Sequence, residues 1–151
     1  ILKSRNNTLY EEIVALDART GEVLIKNTTA VGKKTHACGF SALEQEYLES
    51  RGTPYIVIHN HPNSSFPSRD DIKKLFDREG QSGSLITCHN GDVYYISKQK
   101  NDKNIETLVE TIYTKKKREL IGHPKAMIEE ETSKTIIKFL IKSKRVSFIK
   151  R

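Results

Sequence analysis

Cysteine is scarce: Cys38 and Cys88 are the only two among 151 residues. They lie in different segments without CxxC spacing, which excludes a disulfide framework and a cysteine-ligated zinc site and makes a reducing cytoplasm the expected location. No apolar run approaches the ~20 residues that span a bilayer, and the polar opening ILKSRNNT lacks the hydrophobic stretch of a signal peptide. A soluble cytoplasmic protein with no membrane partner is expected. Apolar residues are sparse too, at 36% against 30% charged, yet this lies outside the low-hydrophobicity regime of disordered chains. The chain should fold, and its length suits one domain over 1–151 with one core. No internal repeat is visible.

The excess of 26 Lys and Arg over 19 Asp and Glu gives a formal charge of +7. Such a field suits nucleic acid, an acidic membrane surface or an acidic protein, and charge alone does not choose among them. The basic residues are scattered and concentrate only in Lys115-Lys116-Lys117-Arg118 and near the C-terminus, as ordinary solubility requires. The run reads as a solvated helix face. Weak, sequence-indifferent nucleic-acid binding is the most it predicts.

From Leu9 to Leu24, LYEEIVALDARTGEVL predicts two short strands around a turn at Asp17–Gly21, because β-branched residues flank turn formers. A polar stretch follows from Lys26 to Gly39, and Ser41 then caps a helix through Leu48 that Gly52 and Pro54 end. Tyr55-Ile56-Val57-Ile58, bounded by Pro54 and His-Asn-His-Pro, has the pattern of a central strand buried on both faces. Ser68 opens a helix from Arg69 to about Arg78, with Ile72, Leu75 and Phe76 on one side. Ser84 to Ile96 predicts a hairpin turning at Asn90-Gly91. Helical spacing returns over 104–120 and about 124–141, and Val146–Ile149 predicts a final edge strand. Hairpins require antiparallel pairing, so these elements predict an α+β fold, or a three-layer α/β/α one, around one mixed sheet.

Alternate side chains of a strand point the same way. His59 and His61, at the end of the predicted central strand, can therefore approach one ion while Asn60 turns away. Asp71 stands ten residues beyond His61, and if PNSSFP folds back, the next helix brings this carboxylate to the same point. Two imidazoles and a carboxylate leave a fourth zinc position for water, as catalytic zinc sites do. Zinc lowers the pKa of that water to roughly 7. A structural alternative stands beside this: Ser68 and Asp71 are also spaced as a capping box.

His59-Asn60-His61-Pro62 through Ser68-Arg69-Asp70-Asp71 resembles the HxHP…SxxD signature of JAMM/MPN (JAB) zinc metalloproteases. HNHP is similar to the form in RadC-like and phage-associated members, and the short Pro62–Pro67 loop resembles the phage-associated branch. The order of hairpin, helix, buried strand, motif, helix and hairpin extends the likeness over about 8–98, leaving 99–151 as a helical C-terminal extension. The resemblance implies an MPN/cytidine-deaminase-like sheet flanked by helices, a Zn2+ cofactor, and hydrolysis of a peptide or isopeptide bond in a protein or peptide substrate. It further implies that Ser68 donates a hydrogen bond to the developing oxyanion and that a glutamate on an early strand is general base and proton shuttle. That glutamate falls in Tyr10–Asp17, where Glu11 and Glu12 are both available and only one can face the metal. In phage-associated relatives it stands six before the turn acid, and counting back from Asp17 selects Glu11.

Two other classes compete. A metal-dependent nuclease would use His-x-His and a basic charge, but such sites need further His and Asp ligands, and His36, His89 and His123 lack ligand spacing. A RadC-like or phage-associated nucleic-acid-binding or assembly module would use the scaffold without chemistry, and the complete donor set argues against it. The remaining histidines read as surface groups, and both cysteines as small buried side chains.

Overall fold

The apolar run after Pro54 becomes the third strand of a six-stranded sheet. The computed structural model describes residues 10–28 and 38–151. Its strands are β1 (Glu12–Asp17), β2 (Val23–Thr28), β3 (Tyr55–His61), β4 (Gln81–Cys88), β5 (Val93–Lys98) and β6 (Val146–Lys150), in the order β2-β1-β3-β4-β5-β6. Only β3 and β4 run parallel, and the other neighbours pair antiparallel. The helices are α1 (Ala42–Ser50), α2 (Arg69–Asp77), α3 (Ile105–Glu119) and α4 (Lys125–Lys142). The parallel pair needs a crossover, and α2 provides it. This is the predicted α+β class with a mixed sheet.

Local chemistry sets the element ends. Ser41 and Glu44 form a reciprocal capping box at α1, and Ser68 and Asp71 form one at α2, each satisfying two otherwise orphaned backbone donors. The β4–β5 hairpin turns at Asn90-Gly91 as expected, within a three-residue loop. Cys88 N–H donates to Asp92 O at 2.8 Å and Gly91 N–H to Cys88 O at 3.0 Å, enclosing His89-Asn90-Gly91. Only Gly91, at φ 94°, is left-handed, the pattern of a three-residue loop in which glycine takes the αL position. β2 runs on to Thr28, into the stretch read as loop, because Lys26, Asn27 and Thr28 pair with Val14, Ile13 and Glu12. Leu9, the predicted strand start, lies outside the described residues.

All four described helices cover one face of the sheet. Ile13, Ala15, Tyr55 and Val57 pack with Phe40 and with Leu48 of α1. Ile96 and Val146 pack with Leu75 of α2, Val109 of α3 and Ile136 of α4. The strand registers together with side-chain alternation put these strand residues on the same side. The arrangement among the described residues is therefore two-layered, not three-layered, and the central strand is not buried on both faces. Tyr55 and Val57 are buried under the helices, while Ile56 and Ile58 on the far side are half-buried. Residues 99–151 also belong to the same body: α3 and α4 share the core of α2, and β6 pairs with β5. No described helix is long and apolar enough to cross a membrane.

Candidate metal centre

Between the core under α1 and the core under α2, α3 and α4, a cleft of about 290 Å³ opens on the helix-covered face. Its wall includes Glu11, His59, His61, Ser68 and Asp71. Strand alternation delivers the histidines, as β3 presents His59 and His61 to the face that carries Val57. The loop to α2 delivers the carboxylate. In that loop Ser64 is left-handed at φ 55°, uncommon for a non-glycine residue. Its N–H donates to His61 O at 3.0 Å and its Oγ accepts from Asn90 N–H at 2.9 Å. This tight return carries the chain back over the end of β3, so that α2 begins beside the imidazoles.

The three donors converge. His59 Nε2 lies 3.1 Å from His61 Nε2, His59 Nε2 is 3.2 Å from Asp71 Oδ1, and His61 Nε2 is 3.3 Å from Asp71 Oδ2. On its other side His61 Nδ1 stands 2.9 Å from Ser65 O. A carbonyl only accepts, so Nδ1 carries a proton, and neutral His61 then turns the Nε2 lone pair toward His59 and a carboxylate. Lone pairs facing one another at this range need a cation between them, a proton or a metal. A shared proton is one such cation. Burial pulls the His61 pKa down, but the Asp71 hydrogen bond and charge, the Ser65 carbonyl and the Glu11 charge outweigh it and hold the value above the ordinary one. Burial likewise pushes Asp71 up, and His59 and His61 overcome this, holding its carboxyl well below the usual range.

Metal geometry fits the same atoms. Zinc–ligand bonds of 2.0–2.1 Å in a tetrahedron put neighbouring donors about 3.3 Å apart; the two imidazole nitrogens stand 3.1 Å apart, and each meets a different oxygen of Asp71 at 3.2–3.3 Å. The hydrogen bond from His61 Nδ1–H to a carbonyl is the outer-shell contact that fixes a metal-ligating histidine. His59, His61 and Asp71 form a group of side chains able to hold a metal ion.

Ser68 reaches the cleft, but its hydroxyl is engaged: Oγ donates to Asp71 Oδ2 at 2.7 Å, Ser68 N–H donates to the same oxygen at 2.7 Å, and Oγ accepts from Asp71 N–H at 3.1 Å. The capping box and the donor set are thus one object, since the cap fixes Oδ2 while Oδ1 faces His59. Glu11 and Glu12 part company. Glu11 lines the cleft and its Oε2 accepts from Cys38 N–H at 3.1 Å. Glu12 is buried on the far face, 3.3 Å from Lys26 Nζ.

Strand alternation turns Asn60 away from the three donors, yet it holds the strand that carries Glu11. Fully buried, its Oδ1 accepts from Glu12 N–H at 2.7 Å and its Nδ2 donates to Tyr10 O at 3.1 Å. These are the two peptide groups flanking Glu11. Nδ2 also lies 3.1 Å from His89 Nε2, which gives His89 an inward contact where a surface role was expected. The letter between the two histidines was the available signal, since a buried amide at a strand end needs partners.

His123 is exposed, Cys38 half-buried and Cys88 buried, and His36 lies outside the described residues. Lys115 and Lys116 pair with Glu119 at 3.9 and 2.7 Å, a solvated helix face as read from sequence. Fold and site together define an α+β protein with a three-donor, metal-competent cleft. No family model, curated protein or solved structure matches the chain.

Proposed function

We propose that this chain is a zinc-dependent hydrolase of peptide or isopeptide bonds, of the kind its HNHP and SxxD segments resemble in JAMM/MPN metalloproteases. The observation that carries the reading is the convergence of the His59, His61 and Asp71 donors in a cleft that also holds the Glu11 carboxylate. His59 Nε2, His61 Nε2 and Asp71 Oδ1 would hold the ion, which when bound supplies Lewis-acid polarisation and water acidified to near neutrality.

The chain's own groups do the rest. Glu11 takes the proton of the attacking water and returns it to the leaving amine, with Cys38 N–H orienting its carboxylate. Ser68 turns its hydroxyl from Asp71 to the developing oxyanion, while Ser68 N–H keeps hold of Asp71 Oδ2. The Ser65 carbonyl keeps His61 in the tautomer that presents Nε2.

Elemental analysis of the zinc-equilibrated chain, with a screen of peptide and isopeptide substrates, tests this. One zinc per chain and amide turnover are expected, with occupancy falling strongly in His59→Ala, His61→Ala and Asp71→Ala. Full zinc content in Asp71→Ala would remove Asp71 from the site, and a zinc-loaded chain inert to every amide would sink the hydrolase reading.

A further inference from the structure

The cleft does not end at the three donors. It continues along α2 past Lys74 to Arg78, over Gln81 and Ser84 of β4. Asp71, Lys74 and Arg78 follow at i, i+3 and i+7, so they rise along one side of α2. At 1.5 Å per residue, Arg78 lies about 10 Å beyond Asp71 along the helix.

Arg78 is half-buried and has no ion pair among the described residues. Its guanidinium carbon lies 5.3 Å from the centre of the Phe40 ring, and Nη1 donates to Gln81 Oε1 at 3.3 Å. Among the described residues no carboxylate comes within 4.0 Å of Arg78 or of the exposed Lys74. Glu49 and Asp77 both contribute charge to the surroundings of Arg78 without coming within 4.0 Å, and Glu49 is engaged elsewhere, its Oε1 accepting from the Tyr55 hydroxyl at 2.6 Å and its Oε2 from Gly80 N–H at 2.8 Å. Asp70 stands exposed on the cleft wall. A guanidinium that has lost part of its hydration and keeps free donors gains most from a carboxylate, which its planar fork matches in two parallel bonds.

We propose that this end of the cleft is a carboxylate subsite, in which Arg78 and Lys74 hold an acidic group of the substrate within about three residues of the scissile bond. The assignment rests on the peptide-hydrolase reading, since carboxylate is the anion an unmodified peptide offers. It comes from an Asp or Glu side chain or from the chain's own C-terminus.

Binding separates the two sources and the two readings. Zinc-loaded Glu11→Gln chain is titrated with alanine heptapeptides, blocked at both ends, that carry one Glu walked through every position, with Gln counterparts and one neutral peptide left with a free C-terminal carboxylate. Glu is expected to bind about 10-fold tighter than Gln at one position, the scale of a charge-assisted hydrogen bond; a preference for the free C-terminus instead identifies that source. Arg78→Gln should bring the ratio close to one, Arg78→Lys should restore part of it, and the exposed Lys74→Gln should lower it about 2-fold. Equal binding of Glu and Gln at every position together with no gain from the free C-terminus overturns the subsite, as does a preference that survives both Arg78→Gln and Lys74→Gln. Inorganic phosphate displacing the peptides where glutarate does not would reassign it to phosphate. Absence of amide turnover in the wild type with the Glu preference intact would defeat the hydrolase reading alone, and turnover without any carboxylate preference would defeat the subsite alone.

Discussion

The two faces of the sheet carry nearly the same chemistry one residue apart. Toward the helices stand Glu11, His59 and His61; on the far side stand Glu12, Asn60 and His89. On the far side the groups answer one another: an amide oxygen takes a backbone N–H, an amide N–H meets a carbonyl and an imidazole, and a carboxylate meets Lys26. Toward the helices two imidazole nitrogens and a carboxylate face one another at 3.1–3.3 Å, an arrangement that a shared proton or a metal ion satisfies. A buried polar cluster that pairs internally is architecture. One that brings metal-ligating atoms together could hold an ion.

The sharpest test exchanges the two glutamates. Glu11→Gln should keep the zinc and lose roughly 10² to 10⁴ in turnover, because the amide cannot take the water's proton. Glu12→Gln should retain most turnover and lose only stability, by loosening the contact with Lys26. Turnover lost in Glu12→Gln and kept in Glu11→Gln would reverse the assignment of the faces.

The second test is pH. The His61 pKa is raised in the metal-free chain, with burial opposing and Asp71 and its other neighbours prevailing, so a proton competes for Nε2 from a higher pH than for a free histidine. Zinc must displace it, and below the raised value affinity should fall by up to about 10-fold per pH unit for each proton released. Competition with a chromophoric chelator between pH 8 and 5.5 measures this. A flat profile would mean that zinc does not bind through His61.

Asn60→Ala comes third, and probes the far face by itself. It removes the side-chain contacts to Glu12 N–H and Tyr10 O and should cost about 1–3 kcal/mol in urea unfolding. Zinc occupancy should hold while turnover falls, because the backbone around Glu11 loses its brace. Unchanged stability would show that the buried amide is not holding this strand.

The smallest effect concerns a thiol on the helix side that takes no part in the donor set. Burial, reinforced by the Asp92 charge, pushes Cys88 up to about 11. Little thiolate is present at pH 8, and iodoacetamide should modify Cys88 of the native chain at least about 100-fold more slowly than in urea. Rapid native labelling would mean that this end of the sheet opens.

Much of this was legible along the chain. The period-2 spacing of His59 and His61, the SxxD helix opening, the central strand beginning at Tyr55 and the α+β class follow from local periodicity and turn chemistry, which neighbours in sequence define; burial of that strand on both faces does not, since Ile56 and Ile58 are only half-buried. The continuation of β2 through polar Lys26–Thr28 was not legible, because its pairing partner is β1 and not its own composition. The hairpin turn at Asn90-Gly91 was legible, whereas its three-residue length was not, because Asn-Gly marks a turn but does not set the flanking register.

By itself, then, the sequence determined which side chains could share a face and where the helices begin, since both depend on backbone geometry within a few residues. Only the tertiary structure decided that the four described helices lie on one side of the sheet, that Ser68 both caps α2 and orients Asp71, and that Asn60 braces the strand of Glu11. It also decided that Arg78 lines the same cleft as the three donors with no described carboxylate within 4.0 Å of it. Each of these joins residues distant in the chain through a fold in which every buried donor must find an acceptor, and no local pattern records which one it finds.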